Sequence, residues 1–140
     1  FEKEIKDAFE FGSFNFAKES LAILDNLQRA KLAIQNDEVL KNNKDLDKFL
    51  ENLTIIEKDL VSIFEKNRIK KIDTKNHKFD PNLHQAMSEI EDETAETGTI
   101  LEEIQPGYML GERLLRPALV AVAKKKSSKN EVKNKKKDEK

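Results

Sequence analysis

Two histidines, two nearby arginines and a lysine-rich end are the places where this sequence could do chemistry. His77 and His84 are the only histidines, and there is no cysteine. A zinc site needs three or four converging ligands. No metal site is therefore expected, and His84 is read as a structural histidine hydrogen-bonded beside the turn at Asp80-Pro81. Carboxylates are abundant, but they follow charged helix faces and an acidic loop over residues 91–98. Paired catalytic carboxylates need a cleft, and the composition offers little interior to form one. No nucleophile elbow, P-loop or Rossmann glycine pattern is present. The residues thus point away from an enzyme, from a bound cofactor and from a nucleotide held by the chain itself. Arg113 and Arg116 stand three apart in an apolar, turn-rich segment. Guanidinium forks suit interfaces. Arg113, next to Gly111, is assigned to a partner surface. Arg116 is open between that role and an internal pair with Glu102 or Glu103. Residues 124–140 hold nine lysines against Glu131, Asp138 and Glu139. A solubilising tail is the first reading. Electrostatic binding of nucleic acid or anionic lipid is the alternative, although the tail has no aromatic residue on which a base could stack.

The elements that must position these groups are limited by length and composition. A chain of 140 residues supports one modest core or two small ones. Charged residues make up 38% and hydrophobic residues 37%, which suits long amphipathic helices better than a thick globule. The formal charge of −1 hides a basic tail on an acidic body. Without cysteine no disulfide forms, which permits a reducing compartment, and a cytoplasmic location is expected. No apolar run approaches the roughly 20 residues of a membrane span, so no membrane partner is expected.

Residues 1–35 read as one helix. Its stripe is Ile5, Phe9, Gly12, Phe16, Ser20, Ile23, Leu27, Ala30 and Ile34, in steps of three and four. Residues 36–43 form a polar connection, with Asn42 or Asn43 as a cap for the next helix. That helix runs from about residue 44 to 67, with a stripe of Phe49, Leu53, Ile56, Leu60 and Ile63, widened by Leu46, Leu50 and Phe64. Neither helix can bury its apolar face alone. A hairpin of the two, paired with a second copy, makes a four-helix bundle, and Ile23, Leu27, Ile34, Leu53, Ile56 and Leu60 are the expected dimer contacts. After Arg68 the period changes to short apolar runs punctuated by Asp80-Pro81, Pro106-Gly107, Gly111-Glu112 and Pro117. The predicted fold is α+β: a long helix plus a helical hairpin forming a dimeric four-helix bundle, followed by a small all-β domain. The expected divisions are 1–67, 68–123 and a disordered tail over 124–140.

The stretch Phe79-Asp80-Pro81-Asn82-Leu83-His84-Gln85-Ala86-Met87, together with Gly107-Tyr108 and Arg116-Pro117-Ala118-Leu119-Val120, resembles the two-part motif of the GrpE family. Upstream, Ile23-Leu24-Asp25-Asn26-Leu27-Gln28-Arg29-Ala30 is similar to the family's long-helix segment. The likeness covers about residues 9–123. It implies a parallel homodimer that acts as nucleotide exchange factor for the ATPase domain of a DnaK-type chaperone. It further implies that Phe11, Arg113 and Val122 face that ATPase, with Gly107 and Tyr108 in the partner-binding motif. Phe79, Asp80, Pro81, His84 and Arg116 are then residues that shape the β domain. A helical dimerisation adaptor without exchange activity is the alternative. Where the family carries Pro in the long helix this chain has Ala22. Where it carries Gly in and after the second helix, this chain has Asn52 and Arg68. The second of these removes the usual left-handed glycine cap. The family's first helix begins further upstream, so a fragment is expected.

Overall fold

The computed structural model describes residues 1–126 of the chain, so the disorder expected for the lysine-rich tail falls almost entirely outside the described residues. Helix α1 runs Glu2–Gln35 with no proline to interrupt it, and Glu2 and Glu4 in its first turn oppose the helix dipole favourably. The connection contains a 3-10 turn at Leu40–Asn42, where the Asp37 carboxylate accepts the amides of Val39 and Leu40 at 2.9 Å each. Helix α2 is Leu46–Lys66. It starts later than expected and has no side-chain cap. Asn43 instead accepts the Asp45 amide at 2.9 Å in a turn before the helix. At its other end the chain keeps a left-handed residue although glycine is missing, since Arg68 has φ +63°. Strands follow as β1 (Ile69–Lys71), β2 (His84–Glu91), β3 (Ile100–Gln105), β4 (Tyr108–Leu110), β5 (Arg113–Arg116) and β6 (Ala118–Lys124).

The chain divides into two compact units. The first comprises Phe1–Lys71 and Tyr108–Arg116. Its antiparallel sheet has the order β1-β4-β5, with Ile69 opposite Leu110 and Tyr108 opposite Arg116. Gly111, at φ +58°, turns β4 into β5. Ala17, Leu21 and Leu24 of α1 close on Phe64 of α2, Ile69 of β1, Tyr108 and Leu110 of β4, and Leu115 of β5. Phe14, Leu60 and Val61 pack at the margin. Leu21 and Leu24 are fully buried, which stabilises this unit by about 2–3 kcal/mol each.

The buried line along α1 is thus 14-17-21-24, offset from the stripe named above. Of that stripe, Ile5, Phe9, Phe16 and Ile23 stand exposed, Phe9 at 80% and Ile23 at 61%. Leu27 and Ile34 are half-buried. On α2 the residues that widen the stripe, Leu50 and Phe64, are the buried ones, while Phe49, Ile56 and Ile63 are exposed. Leu53 and Leu60 are half-buried.

The second unit runs Ile72–Gly107 and resumes at Pro117. Its sheet has the order β2-β6-β3, with β6 central, parallel to β2 and antiparallel to β3. Because β6 is flanked on both edges, it is an uninterrupted apolar and small-residue run, and Pro117 stands before it rather than within it. Ile100, Ala118, Val120 and Val122 form its core, with Phe79 against them. The hairpin β4-β5 and strand β1 belong with the helices, because the core residues Ile69, Tyr108, Leu110 and Leu115 close on α1 and α2. Among the described residues no helix is long and apolar enough to cross a membrane.

Candidate partner-binding surface

On the first unit, Leu115 of β5 is buried in the core, while Arg113, two residues earlier at the Gly111 end of the strand, is exposed. The Arg113 guanidinium stands 5.9 Å from the centre of the Phe11 ring on α1. Phe11 is 72% exposed. A large exposed aromatic under an arginine is a cation–π pair with its apolar face open to a partner, and aromatic residues with arginine are the side chains that most often anchor interfaces.

The other end of β5 carries the stronger contact. Arg116 donates from Nη1 to Asp25 Oδ2 at 2.6 Å and from Nη2 to Asp25 Oδ1 at 3.0 Å. Its guanidinium also lies 5.4 Å from the centre of the Tyr108 ring. The reading of Arg116 as a member of an internal pair gains a named carboxylate, Asp25 of α1. In the second unit Glu103 accepts the Thr74 hydroxyl at 2.6 Å. The geometry is the bidentate fork that makes an Arg–carboxylate pair directional. It fixes β5 along α1 with Arg113 three residues further up the strand. At the Gly111 turn, Arg68 forms an ion pair with Glu10 of α1. Glu10 is not marked by sequence alone, and Asp25 is marked only as a member of the quoted long-helix segment, with no partner assigned to it. The available signal is that each carboxylate adjoins the buried line of α1, Asp25 directly after Leu24.

The remaining residues named for partner contact are placed differently. Tyr108 is buried in the core of the first unit, and Gly107 and Val122 are buried in the second. Gly107 is needed for close approach, since a Cβ there would fall on the Ala118 amide and 2.8 Å from the Ala118 Cα. Val122 packs with Ile100 and Val120. These three build the two units beneath their surfaces, whereas Phe11 and Arg113 are open.

His84 is a scaffold residue of the second unit. Its Nδ1 accepts the Asp80 amide at 2.9 Å, and its own amide returns to the Asp80 carbonyl at 2.8 Å. Asp80 also accepts the Asn82 amide at 2.8 Å, across Pro81. Phe79 lies against the imidazole, with ring centres 6.1 Å apart. Burial lowers the His84 pKa, opposed by the nearby Asp80 carboxylate. A neutral ring with Nδ1 as acceptor is what this turn requires. Among the described residues no group of three potential metal ligands converges.

A long helix with a hairpin pinned along it by ion pairs, and one aromatic–arginine face left open, defines an α+β scaffold that presents a side-chain surface. The GrpE family model matches residues 1–124. The chain is 45% identical over 122 residues to Protein GrpE of Nitrobacter winogradskyi, covering 87% of this chain and 62% of that protein. It is 43% identical over 123 residues to Protein GrpE of Afipia carboxidovorans (88% and 62%) and 40% identical over 123 residues to that of Agrobacterium fabrum (88% and 58%). The chain belongs to the GrpE family. It spans about three fifths of the length of the curated relatives it matches.

Proposed function

We propose that this chain is a co-chaperone that accelerates ADP release from a DnaK-type chaperone ATPase, serving protein folding and the stress response in the cytoplasm. The observation that carries this reading is the open Phe11–Arg113 face, held on α1 by the Arg116–Asp25 fork, in a chain of the GrpE family. The factor does no bond chemistry. It binds the open, nucleotide-poor conformation of the ATPase more tightly than the closed one, and so shifts the population toward release. Linkage makes the effect reciprocal, so nucleotide binding weakens the factor's own hold by the same factor. A tenfold acceleration needs only about 1.4 kcal/mol of preferential binding to the barrier state.

The working form in this reading is a homodimer. Ile5, Phe9, Phe16, Ile23 and Ile63 border an open apolar groove of about 750 Å³ on the first unit. A second copy would cover it, together with the exposed Ile56 of α2. The same exposed faces favour the second reading, a dimerisation adaptor without exchange activity. One experiment separates them. The protein is mixed with its DnaK-type chaperone loaded with fluorescent ADP, and release is followed with and without the chain. Release at the uncatalysed rate, with a dimer in sedimentation, leaves the adaptor alone standing.

A further inference from the structure

We propose that Arg68 is a positioning residue: within the first unit it latches the β4-β5 turn to α1 and so sets where Arg113 stands over Phe11. The importance of that placement rests on reading the Phe11–Arg113 face as the partner-binding surface.

Arg68 occupies a backbone conformation that side chains rarely adopt, at φ +63°. Glycine would end α2 there without strain. An arginine in that position is accounted for by what its side chain reaches. The guanidinium forms an ion pair with Glu10 on α1, whose side chain is only 16% exposed. The Arg68 carbonyl accepts the Gly111 amide at 2.9 Å. The guanidinium then folds back over Gly111 itself. A Cβ on Gly111 would meet Arg68 Nη2 at 2.7 Å and Cζ at 3.0 Å, with Glu10 Oε1 at 3.2 Å. Two separate pieces of chain therefore close on one guanidinium carried just after α2: α1 at Glu10 and the turn at Gly111. The two residues of the open face adjoin this junction. Phe11 follows Glu10, and Arg113 follows Gly111 by two positions. The Arg116–Asp25 fork holds the far end of β5, and Arg68 holds the near end.

The test uses the full chain and the variants Glu10→Ala and Arg68→Gly. In the chain alone, the Arg113 Nε–Hε resonance, assigned with Arg113→Lys, reports its position in the ring current of Phe11. Both variants are expected to move that resonance toward its free value. Both are expected to raise the concentration needed for half-maximal ADP release from a DnaK-type chaperone by about three- to tenfold, with the plateau rate kept. Arg68→Gly is also expected to melt no lower than the parent, because glycine relieves the left-handed backbone. A purely structural role would lower melting and function together. Arg68→Lys keeps the charge without the fork and is expected to recover part of the effect. An Arg113 resonance unmoved in both variants overturns the latch. A moved resonance with parental half-saturation keeps the latch as geometry and overturns the Phe11–Arg113 face as the binding surface.

Discussion

Removing the Asp25 carboxylate should loosen the hairpin from the long helix, and a single tyrosine will report it. The fork from Arg116 to Asp25 measures 2.6 and 3.0 Å, with the two side chains 15% and 27% exposed. Fully exposed pairs contribute about 0.2–1 kcal/mol, while deleting one member of a buried pair costs about 3–5 kcal/mol. This pair lies between those limits, at the margin of the core over the Tyr108 ring. Asp25→Ala is therefore expected to destabilise the first unit by about 2 kcal/mol, since it leaves a largely buried guanidinium without its carboxylate. Asp25→Asn keeps the shape and one acceptor and should cost roughly half as much. The coupling energy from the cycle with Arg116→Ala should be about 1–1.5 kcal/mol. Tyr108 is the only tyrosine and there is no tryptophan. Its emission therefore follows the first unit alone during urea unfolding. A loss of 2 kcal/mol at an m value of about 1–2 kcal/mol/M moves the midpoint by roughly 1–2 M. The midpoint, not the amplitude, is the readout, because Arg116 itself touches the ring. A coupling energy below about 0.3 kcal/mol would refute the claim that the fork fixes β5 on α1.

Other outcomes follow from the same contacts. Arg113→Ala should slow exchange about tenfold, the scale of an interface anchor, while moving the Tyr108 unfolding midpoint by no more than about 0.5 kcal/mol equivalent; dimer loss in sedimentation would mean Arg113 is misplaced. Gly107→Ala should cost more than about 2 kcal/mol in the second unit, because its methyl meets backbone and not a movable side chain. Hydrogen exchange of the β6 amides reads that loss, and unchanged protection would contradict it. For His84 the folded pKa is lowered by burial, so between that value and the ordinary imidazole value of about 6.5 the unfolded chain binds the extra proton. The contribution is then complete above about pH 6.5 and is lost as pH falls toward the folded value. Replacing His84 with Gln should flatten the stability of the second unit across that window, and a slope equal to that of the parent would exclude His84 as its source.

The change of period at Arg68, the turn at Gly111 and the apolar run of β6 were all readable, because glycine, proline and alternation act over a few residues. The partition of α1 was not. Its sequence carries two lines at helical spacing, one through Phe9, Phe16 and Ile23 and one through Phe14, Ala17, Leu21 and Leu24. Periodicity does not say which of them the chain covers with its own strands. Arg116 was legible as an ion-pair member but not by partner, since Asp25 is 91 positions away and nothing local distinguishes it from Glu102. Arg68 shows tertiary contacts overriding local preference. Propensity disfavours a left-handed arginine, yet here its amide donates to the Glu65 carbonyl, its carbonyl accepts the Gly111 amide and its guanidinium pairs with Glu10. From its turn His84 was expected to be a satisfied, hydrogen-bonded residue; its Nδ1 accepts the Asp80 amide, but its Nε2 is buried with no hydrogen-bond partner among the described residues, which no turn signal shows.

The division of the chain also bears on how it is made. The first unit is not contiguous: its helices and β1 end at Lys71, and its last two strands arrive at Tyr108–Arg116. During synthesis, Leu21, Leu24 and Phe64 must wait for Tyr108, Leu110 and Leu115 to be translated. At about 5–20 residues per second, the intervening stretch takes roughly 2–9 s. For that time a helical hairpin with apolar lines on two sides stands on the ribosome without the strands that complete one of them. A nascent chain in this state would itself be a candidate client for chaperones.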